Sequence, residues 1–289
     1  MFLSGCSIRQ LAIQSLADAL SGSGATFASD DDPELVRQAV PFSLKLIESL
    51  LEETPRHQGL LLAACSGFTQ YAYAFVQQEA DELETRDLSA ATDKWDRARK
   101  LYLRARGHGL RGLDSAYAGF SEQLLEDAKG AVLRTRSKDV PLLYWVAASW
   151  GAAISISKDD PDLIADQLIA EALIDRALEL NESFEDGAIH SFLISYEMAR
   201  QGAESEPAAR ARRHFERAMQ LSGGLSAAPL VALAESVCVQ EQNRREFEEV
   251  LNRAIAIDVD ERRQWRLMNL IMQRRARWLL SRTDELFVE

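Results

Sequence analysis

An all-α fold is what this sequence predicts, and three observations carry the prediction. Apolar residues recur at three- and four-residue spacing nearly throughout, and no sustained two-residue alternation appears. Asp32-Pro33-Glu34 and Asp160-Pro161 each set a capping carboxylate before a proline at the first helical position. Three segments end alike, in Arg176-Ala177-Leu178-Glu179-Leu180-Asn181, Arg217-Ala218-Met219-Gln220-Leu221-Ser222 and Arg253-Ala254-Ile255-Ala256-Ile257-Asp258.

The elements follow in order. A helix over 33–53 starts at the Asp32 cap and carries Pro41, which should kink it. The segment 57–84 is apolar nearly all round, so it should be central. Helices over 89–106 and 110–135 come next, leaving Gly107-His108-Gly109 between them. The segment 141–156 reads as a second interior helix, and 161–180 starts at Asp160-Pro161. Five further helices are expected over 184–200, 207–221, 228–240, 244–257 and 261–286. The loops are short, so sequential helices should be antiparallel neighbours. The spacing of Ala177, Ala218 and Ala254 lies near the roughly 34-residue period of tetratricopeptide repeats, whose second helix uses a small residue for close packing. The expected architecture is therefore antiparallel helix pairs in a compact curved solenoid with a central cleft or pore. Residues 29–289 are expected to form one domain. Residues 1–28 read as a tether, with Ser21-Gly22-Ser23-Gly24 as flexible linker chemistry and a short helix within 8–20.

Composition narrows the function classes. The 289 residues are 47% hydrophobic and 27% charged, enough to bury a core. Forty-five acidic against 33 basic residues leave a net charge of −12, which argues against a nucleic-acid partner. The longest uncharged block, 140–157, contains Pro141 and Gly151. It does not read as the roughly 20 apolar residues that span a bilayer. Cys65 and Cys238 sit in apolar helical stretches and read as free buried thiols.

Cys6 is different. Leu3-Ser4-Gly5-Cys6 resembles a bacterial lipobox, in which the cysteine becomes the lipidated N-terminus. A signal peptide carries a basic region and about 7–15 apolar residues before that site. The reading frame is accordingly expected to start upstream. Ser7 after the cysteine favours outer-membrane sorting in the periplasm.

No catalytic constellation is visible. The chain lacks His-Glu-x-x-His, Cys-x-x-Cys, a Walker loop, a nucleophile elbow and Gly-x-Gly-x-x-Gly. His57, His108, His190 and His214 are scattered. No enzyme activity, metal site or cofactor is expected. Phe68, Tyr71 and Phe75 share one helix face, and Tyr144, Trp145 and Trp150 share a second interior helix. Buried Tyr and Trp need partners for their polar atoms. Such helices either line an apolar cavity with a few hydrogen-bonding groups or form plain core. Lys45 should pair with Glu48 three residues on, or meet a ligand carboxylate. Arg274-Arg275-Ala276-Arg277 should pair with carboxylates of the chain's own surface rather than with an acidic partner.

Several blocks in order carry a family likeness. They are Asp31-Asp32-Pro33-Glu34-Leu35-Val36, Pro41-Phe42-Ser43-Leu44-Lys45, Gly67-Phe68-Thr69-Gln70-Tyr71-Ala72-Tyr73 and Lys100-Leu101-Tyr102-Leu103-Arg104-Ala105. Next come Leu143-Tyr144-Trp145, Trp150-Gly151-Ala152-Ala153 and Gly187-Ala188-Ile189-His190. The last is Asn269 with Arg274-Arg275-Ala276-Arg277-Trp278-Leu279-Leu280. Together, over about 27–287, they resemble the TatT family, the T component associated with TRAP transporters. The resemblance implies a bacterial periplasmic lipoprotein with cryptic tetratricopeptide-like helices. It implies a periplasmic solute-binding protein, the TRAP P component, as partner, a membrane reached through the Cys6 lipid, and a homo-oligomer. It also implies a cleft lined partly by Tyr71, Tyr102, Tyr144, Trp145, Trp150, His190 and Asn269, holding or passing a small organic acid or hydrophobic solute. Two other classes stay open. One is a periplasmic tetratricopeptide scaffold for envelope assembly, with a filled core and no ligand. The other is a polysaccharide-acting enzyme, which needs a carboxylate in the aromatic cleft.

Overall fold

Helix is the regular structure throughout the residues that the computed structural model describes, 15–20, 22, 24–200 and 206–288, and no strand occurs among them. The all-α expectation holds. Cys6 lies outside the described residues. The chain divides into two compact units. The first comprises Met1–Phe27 and Glu34–Leu180, the second Ala28–Pro33 and Asn181–Glu289.

The first unit is built on α1 (Pro33–Glu53), α2 (Gln58–Leu83), α3 (Leu88–Ala116), α4 (Phe120–Glu126), α5 (Ala128–Val132), α6 (Val140–Ser155), α7 (Pro161–Ala165) and α8 (Gln167–Leu180). At four helix starts of this unit a side chain accepts from a free N–H group. His57 accepts from Leu60 N, Asp87 from Ala90 N, Asp127 from Gly130 N, and Asp160 from Leu163 N. Helices α2 and α3 run antiparallel, as the short loop between them predicts. Glu79 near the end of α2 meets Lys94 near the start of α3 at 2.7 Å, while Gln58 at the start of α2 meets Ser115 at the end of α3 at 3.3 Å. Arg37 of α1 also pairs with Glu79, at 2.7 Å. Ahead of α1, residues 15–20 and Gly24–Ala28 are helical within the stretch expected to be a tether.

Helix α2 is the centre. By length and composition alone it could cross a membrane, but 61% of its apolar window is buried inside the protein. Its neighbours α3 and α6 supply the apolar surroundings that a bilayer would. A π-turn at Tyr73–Gln77 interrupts it.

The expected gap at Gly107-His108-Gly109 is absent. Helix α3 runs through it for 29 residues. The glycines serve packing. A Cβ on Gly109 would collide with Val146 Cγ2 of α6 and lie 2.7 Å from Cys65 Sγ of α2, and one on Gly112 would lie 2.9 Å from Leu142 Cδ2. The backbone of α3 is thus wedged between α2 and α6. The chain turns instead at Gly119, whose φ of 68° suits glycine, so the expected 110–135 helix is divided.

The second unit comprises α9 (Ala188–Ala199), α10 (Pro207–Leu221), α11 (Ala228–Cys238), α12 (Arg244–Ala256), α13 (Arg266–Ser281) and α14 (Thr283–Leu286). A π-turn at Ala234–Cys238 ends α11. Glu197 near the end of α9 binds Arg210 near the start of α10, so this pair is antiparallel. Arg212 ties α10 to Glu246 of α12 at 2.6 Å. Gln273 of α13 donates to Ile257 O at 2.8 Å and to Ala254 O at 3.2 Å, which satisfies the free carbonyls at the end of α12. Ala177, Ala218 and Ala254 are all buried. Cys65 and Cys238 are free and buried.

Two glycines two positions apart should respond oppositely to the same change. Gly109→Ala should destabilise by about 1–3 kcal/mol through overpacking. Gly107→Ala faces open space, so helix propensity alone should stabilise it by roughly 0.5–1 kcal/mol. Urea unfolding of the two variants checks the pair.

Candidate functional site

Five of the seven residues expected to line a cleft lie in the first unit and differ in access. Tyr102 is fully buried on α3, and its hydroxyl donates to Gln77 Oε1 at 2.6 Å. Burial pushes its phenol well above the usual range. Trp150 is buried on α6, donates Nε1–H to Asp166 at 3.1 Å, and lies under the Arg106 guanidinium at 4.4 Å. Tyr71 is buried against Phe75, ring centroids 5.7 Å apart, with Arg97 at 6.0 Å over its ring. Tyr144 and Trp145 keep surface. They are half-buried and form an edge-to-face pair with centroids 4.9 Å apart.

His190 and Asn269 belong to the second unit. Asn269 is 1% exposed, and both ends of its amide are engaged. Its Oδ1 accepts from Ala227 N and its Nδ2 donates to Leu225 O, each at 2.9 Å, which clamps the chain entering α11. His190 Nδ1 lies 2.8 Å from His214 Nδ1, so one ring donates to the other. Glu182 Oε2, 3.4 Å from His190 Nε2, favours the proton there. His214 Nδ1–H is then the donor. Burial lowers both imidazoles. The His190 charge lowers His214 further, to about 4, while Glu182 partly offsets the effect on His190.

Sequence reasoning missed a polar recess of about 180 Å³ in the first unit. Its lining includes Lys45, Glu48 and Ser49 of α1 and Arg104, His108 and Arg111 of α3. Lys45 does bind Glu48, at 2.7 Å, as the i,i+3 spacing predicts. Glu48 is not a simple surface partner, however, since its side chain is only 12% exposed. Arg104 binds both its carboxylate oxygens, and His108 Nε2 lies 3.0 Å away. Burial raises the Glu48 carboxyl, but donation from Arg104, Lys45 and His108 outweighs it and holds the group at about 2. His108 stacks on Phe68 with centroids 5.8 Å apart, and Arg104 lies 5.2 Å over the same ring. The Lys45–Glu48 spacing was the one visible signal, because the α3 partners lie 56 to 60 residues away in sequence. The basic run near the C-terminus pairs internally at Arg275, which binds Glu235 at 2.6 Å. No group of three His, Cys, Asp or Glu is placed to hold a metal among the described residues.

Residues 29–287, spanning both helical units, match the TRAP transporter T-component family. The chain belongs to that family. An uncharacterized protein of Treponema pallidum (strain Nichols) is similar to it at 30% identity over 307 residues, covering 100% of this chain and 95% of that protein. Membership assigns this T-component to a TRAP transport system, and so to the cell envelope.

The histidine pair makes stability depend on pH. Both folded values lie below the ordinary 6.5, so the unfolded chain binds more protons there. Stability is complete above about 6.5 and should fall as pH drops through that value towards 4. His214→Asn keeps a donor near the Nδ1 position and should flatten this part of the profile. Urea midpoints measured between pH 7.5 and 4 check it.

Proposed function

We propose that this T-component is a lipid-anchored periplasmic accessory that docks a solute-binding protein and holds or passes a small organic acid or hydrophobic solute. The family match across 29–287 carries the reading, because it includes both helical units and all seven aromatic, histidine and asparagine positions. It also supports treating 29–289 as one functional module. The role is transfer, which needs differential binding between partners and no catalyst. Cys6 supplies the anchor, with the outer membrane as its destination. The protein works as a homo-oligomer.

Exposure ranks the aromatic set. Tyr144 and Trp145 present an apolar edge with polar tips, suited to a solute that arrives from outside. Tyr71, Tyr102 and Trp150 are buried within the first unit. His190 and Asn269 serve through the second unit. One observation favours the alternative of a scaffold without ligand: Tyr102 and Trp150 spend their polar atoms on Gln77 and Asp166.

Two experiments decide between the readings. Trp145→Ala should impair whole-cell uptake across a panel of labelled organic acids, while the melting curve and capture of the purified solute-binding protein stay near wild type. Normal uptake in that variant supports the scaffold. Expression with the native upstream region should yield an N-terminal peptide that begins at diacylglyceryl-Cys6 by mass spectrometry. An unmodified Cys6 rejects the anchor.

A further inference from the structure

The recess of the first unit holds more hydrogen-bond donors than acceptors. Glu48 is saturated. Its Oε1 accepts from Arg104 Nε and faces His108 Nε2, and its Oε2 accepts from Lys45 Nζ at 2.7 Å and Arg104 Nη2 at 2.6 Å. The cations are not. Lys45 uses one of three N–H groups, and Arg104 Nη1 makes no hydrogen bond among the described residues. Arg111 gives one bond, from Nη2 to Pro55 O at 3.3 Å, and meets no carboxylate within ion-pair distance among the described residues. Lysine and arginine carry donors only. Glu52 also lines the recess, so three cations face two carboxylates, and a group that brings further acceptors and a negative charge suits the set best.

One further observation points the same way. The recess is open, with space of about 180 Å³, enough for a group of several heavy atoms. It shares no residue with the Tyr144–Trp145 face.

We propose that this recess is an anion site, in which a small oxyanion, carboxylate or phosphate, is held by Arg111, Lys45 and the unused edge of Arg104. An arginine edge presents two parallel N–H donors to either oxyanion. Glu48 serves as the internal counter-ion that holds Arg104 and Lys45 in place. The site is independent of the transport reading.

Isothermal titration of the full chain with sodium acetate, sodium succinate and sodium phosphate, at constant ionic strength in chloride, tests it. At least one anion should bind saturably at one site per chain. Arg111→Gln and Lys45→Gln should each weaken that binding about tenfold, the loss of one charge-assisted contact. Arg56, which lines an adjoining hollow with Arg111, is the control, and Arg56→Gln should change affinity less than about twofold, as a screened neighbour does. Lys45 is 65% exposed, so its variant keeps the fold. Binding of acetate or succinate alone identifies a carboxylate ligand, and binding of phosphate alone identifies a phosphate. No saturable heat with any of the three overturns the proposal. So does equal affinity in Arg111→Gln, or an Arg56→Gln loss as large as that of Arg111→Gln, which marks diffuse charge attraction.

Discussion

The first unit depends on one close approach, the α3 backbone lodged between Cys65 of α2 and Val146 and Leu142 of α6. Gly109 and Gly112 sit three residues apart, so they share a face of α3. With that face pinned, rotation of the helix is settled. Arg104, His108 and Arg111 follow four- and three-residue spacing on another face, and the same rotation delivers them to α1. The recess is therefore a by-product of core packing. Its chemistry sits on the surface, but its geometry is set by atoms in the interior.

Much of this architecture was legible in the sequence. The helical period, the Asp160 cap and the buried Ala177, Ala218 and Ala254 all follow from local pattern. The course of α3 did not, because glycine has two meanings. In a sequence, Gly107-His108-Gly109 reads as punctuation. In the structure, Gly109 is simply the smallest side chain available where two helices meet a third. Nothing local separates these meanings, since the deciding atoms belong to residues 65 and 146. The same holds for Glu48. Its neighbour Lys45 was visible, while Arg104 and His108 arrive only once α1 and α3 are brought together.

The seven residues singled out in advance divide by what their polar atoms do. Asn269 and Tyr102 are fully engaged within the protein, one with backbone and one with Gln77. His190 shares a proton with a second imidazole that the sequence set 24 residues away. Burial favours the neutral form of this pair, and Arg217 and Arg210 reinforce it by engaging the nearby Glu182 and Glu197. A residue singled out by pattern can thus serve as a structural clamp, as Asn269 does, rather than as a ligand contact.

The π-turn in α2 has a consequence for chain length. A π-turn is an α-helical turn that has taken in one extra residue, and the helix on either side keeps its phase. Between Tyr73 and Gln77, then, α2 contains one residue more than its span requires. Loss of a single residue there leaves an ordinary helix with Phe68 and Glu79 on their present faces. Loss of one residue earlier, between Leu60 and Tyr71, instead turns one part of the helix against the other by about 100°. The tolerance of this central helix to deletion is confined to one turn.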